Sequence, residues 1–209
     1  PDIALDATEI AITSAVQAYI DAPDGDKTFE LDLVKGICEQ IVSEYPQSAK
    51  GNEARMRLGQ VYRDLDEPEQ AAEVYLSVPK DYSEFPSAQI SAGQSYWAAH
   101  ANAVSKMVAT NDTSVETAAK VAEFKDKAKD LLTAGLKAAR EKIGEAAPTD
   151  EMTAAEVSLV TILNQDGQFD QTIQRLTANG ENSVLAAIEV PEGEARPESG
   201  ILSAPFAGQ

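Results

Sequence analysis

Apolar residues recur at steps of three and four along most of the chain, which is the spacing of one face of an α-helix. Near the start, five apolar residues cluster loosely on one helical face before the polar stretch 21–26 ends it: Ile10, Ile12, Val16, Tyr19 and Ile20. A second pattern runs from about Phe29 to Tyr45 and stops at Pro46, with four apolar residues spaced four apart: Leu33, Ile37, Ile41 and Tyr45. No stretch alternates apolar and polar residues long enough to demand a β-strand. The pattern predicts an all-α protein.

Two long helices are predicted in the middle of the chain. The first runs from Ser87 to about Thr110 and precedes a turn, 111–114, whose Ser114 is a typical N-cap residue. The second continues to about Gly144. Its apolar or small positions fall at steps of three and four: Val121, Phe124, Ala128, Leu131, Gly135, Ala139 and Ile143.

The chain also contains an internal period of 34 residues. Leu58-Gly59 followed by Tyr62 recurs 34 residues later as Ala92-Gly93 followed by Tyr96. Positions 34 residues before Ala71, Tyr75 and Pro79 are also apolar: Ile37, Ile41 and Tyr45. A repeat of this length gives residues at equivalent positions the same expected structural role, because one supersecondary unit recurs along the chain.

These residues resemble the tetratricopeptide repeat, a 34-residue unit of two antiparallel helices. The best unit spans about 52–85, where Arg55 replaces the usual Trp and Val78 stands where Ala is commoner. A unit beginning near Pro86 matches only on its first helix, since its second-helix positions hold Ser105 and Ala109 without a turn. A degenerate unit near Thr153 contains the turn-like stretch 164–170, with apolar positions at Leu159, Leu163, Ile173 and Leu176. The resemblance implies stacked helical hairpins in a right-handed superhelix, with one irregular unit of long helices.

Close helix packing explains the spacing of the best unit. Gly59 and Ala71 have almost no side chain, so we expect the two helices to approach at these positions. Leu58, Tyr62 and Tyr75 are expected to fill the surrounding space. Pro68 would lie in the first turn of the second helix, where its missing N–H costs little.

The predicted organisation has three parts. Residues 1–28 form an N-terminal helix and acidic loop, residues 29–179 the repeat-like domain, and residues 180–209 a tail. Pro191, Pro197 and Pro205 exclude a long helix from the tail. A disordered end is expected there, while the apolar residues Ile201, Leu202 and Phe206 leave docking as the alternative.

The net charge of the chain disfavours two classes of partner, nucleic acid and anionic lipid. The chain has 17 Lys and Arg against 35 Asp and Glu, a net charge of −18 that repels nucleic acid and anionic lipid. No apolar run approaches the roughly 20 residues that span a bilayer, so no membrane insertion is expected. The chain begins at Pro1 rather than Met, which leaves open a leader or anchor ahead of it.

No residue set predicts catalysis, a metal site or a cofactor. His100 is the single histidine and has no Cys or His near it in sequence, so it is expected at a surface or groove. The single Cys38 lies among apolar residues and predicts a buried thiol. The acidic stretch 21–26 lacks the ligand positions of an EF-hand and predicts a solvated loop.

In tetratricopeptide repeats the first helix of each unit lines a groove that binds a peptide. Trp97 is the strongest candidate there, since a large aromatic side chain suits the centre of an interface, and a core position is the alternative. Met56 and Gln60 depart from the Lys and Asn of the family's chaperone-tail clamp. The resemblance places the following residues in the groove: Glu53, Met56, Gln60, Arg63, Ser87, Ile90, Gln94 and Trp97.

The resemblance therefore implies a non-enzymatic scaffold that holds a protein or peptide segment. Self-assembly into a homo-oligomer and a regulatory helical domain of a larger envelope protein remain alternatives. Stretches 45–48 and 82–88 are similar to repeats of bacterial envelope proteins, which implies a periplasmic or membrane-tethered scaffold and leaves a cytoplasmic one open. Seven basic residues between 120 and 142 predict a solvated helix face, with intramolecular pairing or an acidic partner as alternatives.

Overall fold

The structure, a computed structural model, describes residues 3–22 and 27–178. These residues form helices and no strand, which confirms the predicted all-α class. The predicted tail and most of the acidic loop lie outside the described residues. The helices are α1 (Ile3–Asp21), α2 (Thr28–Glu44), α3 (Ala49–Asp64), α4 (Pro68–Leu76), α5 (Phe85–Thr110), α6 (Val115–Ile143), α7 (Asp150–Gln165) and α8 (Phe169–Thr177).

Internal contacts divide the chain into two compact units, Pro1–Gly135 and Leu136–Gln209, with the boundary inside α6. In the first unit, helices α1 to α5 pack in series, each against the next along the chain. In the second unit, α7 packs against α8. No helix in the described part of the chain is long and apolar enough to cross a membrane.

The face that α2 buries matches the predicted one in part, since Ile37, Ile41 and Tyr45 pack in the core and Leu33 does not. Leu31, Val34 and Cys38 are buried together with Ile41, whereas Leu33 is 44% exposed. These four buried residues join α3 side chains in the larger core cluster of the first unit. Apolar residues lie on two sides of this helix, so their spacing alone did not select the face that α3 covers.

Gly59 permits the close approach of α3 and α4, and its partner is the ring of Tyr75. A Cβ at Gly59 would lie 2.6 Å from Tyr75 Cζ, which is closer than real Cβ atoms come. Ala71, expected opposite Gly59, belongs with Tyr75 and Ala92 to a smaller buried cluster between α4 and α5. The glycine therefore makes room for an aromatic side chain.

Two glycines bring the long helices α5 and α6 together. A Cβ at Gly93 of α5 would lie 2.9 Å from the backbone nitrogen of Leu132 in α6. A Cβ at Gly135 of α6 would lie 2.9 Å from the backbone nitrogen of Ile90 in α5. The contact is reciprocal, and backbone atoms on both sides set the separation of the helices.

Arg55, which replaces the family's Trp, closes the turn between α2 and α3. Its Nη1 donates to the carbonyl oxygen of Pro46 and to Asn52 Oδ1, both at 2.8 Å. The residue is only 8% exposed, and burial lowers the pKa of its guanidinium. A basic group in this position also suits the carbonyl-rich C-terminal end of α2.

In the second unit a partly buried ion pair joins α7 to α8. Arg175 Nε and Nη2 donate to the two carboxylate oxygens of Glu156, whose side chain is 9% exposed. Thr149 caps α7 by accepting a hydrogen bond from the backbone N–H of Met152. The bidentate geometry fixes the angle at which α8 lies on α7.

Candidate functional site

A cleft of about 530 Å³ opens in the first unit between three elements. One wall is the turn between α3 and α4 with the first turn of α4, residues 66–70. The second half of α5, from Ala99 to Thr110, forms another wall. Asp112 and the first half of α6, as far as Phe124, form the third. The volume lies in the range of ordinary ligand-binding clefts.

Apolar side chains from both long helices line part of the cleft. Ala99 and Phe124 are buried, at 5% and 4% exposure. Ala103 and Met107 of α5 are half-buried and lie along the same opening. Small residues at 99 and 103 keep the wall recessed, while the flexible thioether of Met107 can adapt to different contacts.

Charged residues surround this apolar surface. Lys120 Nζ lies 3.2 Å from Glu69 Oε2, which joins α6 to α4. The same ammonium lies 5.2 Å from the centroid of the Phe124 ring. Asn102 of α5 donates to Asp66 Oδ1 at 3.1 Å. The cleft thus already holds one cation that pairs with a carboxylate and lies over an aromatic face.

The turn from α5 to α6 is held by local hydrogen bonds. Asn111 adopts the left-handed conformation with φ of 50° and ends α5. Asp112 accepts from the hydroxyl of Thr117 at 2.6 Å and from the backbone N–H of Ser114 at 2.9 Å. These hydrogen bonds lower the pKa of the Asp112 carboxyl, and the bond from Thr117 has the largest effect. Ser114 caps α6 as predicted, accepting from the N–H of Thr117.

None of the eight groove residues predicted from the sequence lines this cleft. On α3, Glu53 and Gln60 are exposed, with Glu53 paired to Lys50 at 3.1 Å and Gln60 bonded to Asp64. Met56 is half-buried against the cluster of Ala71, Tyr75 and Ala92. Glu53 borders a separate hollow of about 100 Å³ beside α1 and α2.

The remaining predicted groove residues differ in accessibility. Arg63 is exposed. Burial raises the pKa of the nearby Tyr75 hydroxyl, and Arg63 lowers it less strongly. On α5, Ser87, Gln94 and Trp97 are half-buried. Ile90 is fully buried and lies against Gly135, so it is not available to a partner. The expected groove loses this residue because α6 covers it.

His100 and Trp97 form a stacked pair on α5. Their ring centroids lie 4.8 Å apart with planes at 9°. His100 Nδ1 donates to the carbonyl oxygen of Val121 in α6 at 2.9 Å. Both side chains are half-buried. Trp97 is therefore less exposed than a groove residue would be and less buried than a core residue would be. The described residues contain no cluster of His, Cys, Asp and Glu that could hold a metal.

Cys38 is buried, as its flanks predicted, and burial raises the pKa of the thiol to about 12. Such a group stays protonated at neutral pH. Two of the basic residues on α6 pair within their own unit. Lys127 lies 2.6 Å from Glu123 and 5.0 Å from the centroid of the Tyr96 ring, and Lys120 pairs with Glu69. These contacts favour intramolecular pairing over an acidic partner for these two lysines.

The sequence did not identify the residues that line the cleft, because their helical spacing is the same as that of residues in a helix core. The turn around Pro68 was identified, and so was the long helix through Thr110. Nothing in the sequence showed that α5 and α6 leave an open space beyond their glycine contact. Comparison of the chain with family models, curated proteins and solved structures finds no match.

Proposed function

We propose that this chain is a protein-interaction module that holds a segment of a partner in the cleft between α4, α5 and α6. The mixed lining of the cleft carries the proposal. Ala103 and Met107 offer apolar contact, while Asp66, Glu67 and Glu116 border it with charge. A few polar groups around an apolar surface are typical of sites that orient a ligand.

The serial packing of α1 to α5 supports a tetratricopeptide-like arrangement for the proposed module. Hairpins of this kind expose helix faces that recognise protein segments. The placement of the site differs from the groove expected for the family, because the turn between α3 and α4 lines the cleft and none of the expected groove residues does. The proposed compartment, a bacterial envelope, depends on the sequence resemblance alone.

A display selection of short random peptides against the purified chain tests the proposed site. We expect enriched peptides whose binding weakens at least tenfold in Ala103→Trp, since the indole fills the cleft and removes its apolar contact. Affinity is measured by isothermal titration calorimetry. Ala98→Trp is the matched control, because Ala98 is exposed on the same helix and does not line the cleft.

Two results would contradict the placement. Peptides that bind Ala103→Trp as well as the unmodified chain would show that the cleft is not their site. If the same peptides lost affinity in Trp97→Ala, the sequence-predicted groove would be the better location. Failure to enrich any peptide would count against the interaction module itself.

Self-association is a second candidate, favoured by exposed apolar residues at the tip of the α5–α6 hairpin. Val108 and Val115 are 72% and 86% exposed on either side of the turn. If copies pair through this tip, light scattering should show a mass that rises with concentration, most strongly in high salt, which screens the net charge. Val108→Lys/Val115→Lys should return the monomer mass. A constant monomer mass in the unmodified chain would exclude this candidate.

A further inference from the structure

The lining of the cleft carries more negative than positive charge. Its five carboxylates are those of Asp66, Glu67, Glu69, Asp112 and Glu116, against the ammonium groups of Lys106 and Lys120. The N-terminal ends of α4 and α6 also border the cleft, and each contributes about half a positive charge. The carboxylates still outnumber the combined positive charge, so the cleft attracts cations.

The five carboxylates differ in whether they already have a hydrogen-bond or ion-pair partner within the protein. Asp112 is bonded within its own turn, Asp66 accepts from Asn102, and Glu69 pairs with Lys120. Glu67 and Glu116 line the cleft from two different elements. Neither of these two carboxylates has a hydrogen bond or ion pair within the described part of the chain. They are therefore available to a cation that enters from outside.

The position of Lys120 indicates what kind of cation the cleft accepts. Its ammonium pairs with the Glu69 carboxylate and also lies over the Phe124 ring, a combination that stabilises Lys and Arg side chains. The apolar surface of Ala103 and Met107 lies along the same opening. A ligand with a basic group next to an apolar group would satisfy both parts of the lining.

We propose that the occupant of the cleft is a basic amphipathic segment of a partner protein, in which Arg or Lys residues are interspersed among apolar residues. Its cations pair with Glu67 and Glu116, and its apolar side chains contact Met107 and Ala103. This proposal depends on the proposed interaction function and narrows it to one class of segment. Acidic and phosphorylated segments are disfavoured, because the same carboxylates repel them.

Two synthetic peptides of equal length test the inference: acetyl-Leu-Arg-Ala-Leu-Arg-Ala-Leu-amide and the same peptide with Glu in place of Arg. Each is titrated into the isotopically labelled chain and followed by amide NMR shifts. We expect the basic peptide alone to shift residues of the cleft, with an affinity that falls as salt is added. Glu67→Gln/Glu116→Gln should weaken it about tenfold, since two charge pairs are lost.

The control variant separates a specific site from general attraction to an acidic protein. Asp126→Asn/Asp130→Asn makes the same charge change at exposed positions of α6 that do not line the cleft. Neither Asp126 nor Asp130 takes part in a hydrogen bond or ion pair within the residues that the structure describes. We expect this variant to bind the basic peptide within twofold of the unmodified chain, on the scale at which exposed charges act. Equal losses in both variants would mean diffuse attraction and would overturn the proposal.

The remaining outcomes distinguish this inference from the broader function. Binding of the acidic peptide in the cleft, or equal binding of both peptides, overturns the basic-segment proposal and leaves the interaction module standing. Display-selected peptides that require the cleft but carry no basic residues would do the same. If neither synthetic peptide shifts cleft residues and no selected peptide depends on Ala103, both proposals are wrong.

Discussion

Arg175→Ala is expected to destabilise the second unit by about 2–4 kcal/mol. The change leaves the Glu156 carboxylate, 9% exposed, without the guanidinium that balances its burial. The expected loss stays below that of a fully buried pair, because the Arg175 side chain is 29% exposed. Hydrogen exchange measured by mass spectrometry checks this, since amides of α7 and α8 should exchange faster at equilibrium.

The double variant Glu156→Leu/Arg175→Leu tests the cause of that loss. Replacing both charges with apolar groups removes the stranded carboxylate, so protection of α7 and α8 should largely return. Glu53→Gln provides the exposed comparison: it breaks the Lys50 pair, in which the Glu53 side chain is 54% exposed, and should change stability by less than about 1 kcal/mol. A double variant no more protected than Arg175→Ala would show that the ion pair is not responsible.

Gly93→Ala is expected to lower the free energy of unfolding of the first unit by about 1–3 kcal/mol. The added Cβ meets the backbone nitrogen of Leu132 at 2.9 Å, and a backbone atom cannot rotate away. Relief requires α5 and α6 to separate along their contact. Alanine favours a helix over glycine by about 1 kcal/mol, and this gain offsets part of the loss. Urea denaturation followed by circular dichroism measures the change.

Gly36→Ala is the matched control, because nothing lies within 4 Å of a Cβ at that helical position. We expect it to raise stability by about 0.5–1 kcal/mol, the opposite sign to Gly93→Ala. Adding Gly135→Ala to Gly93→Ala should cost less than the two single losses combined, since the first change already moves the helices apart. If Gly93→Ala and Gly36→Ala had the same sign, the close approach would not determine the separation of the helices.

The sequence predicted helix positions and most of the faces they bury, including Phe124, Ala128 and Ala139 of α6, which are buried. Pro46 and Ser114 mark boundaries that the structure keeps, because proline and cap residues act within a single turn. Leu33 and Ile173 were placed on apolar faces but are 44% and 61% exposed. Their burial depends on which neighbouring helix covers them, and helical spacing carries no information on that choice.

The same limit applies to the site. The register of the repeat placed Ile90 in a groove, yet α6 covers it through the contact at Gly135. The glycine at 93 was recognised as part of a repeat, while its close contact with Leu132 required the position of α6. An open cleft results from the relative positions of three elements, and no single stretch of residues encodes it.

The stacked rings of Trp97 and His100 give the chain an intrinsic fluorescent probe. The indole is the only one in the sequence, so its emission comes from one place on α5. The imidazole stacked on it is also hydrogen-bonded to Val121 of α6. A movement of α6 along α5 would pull the two rings apart and change the colour and intensity of the emitted light without any attached dye.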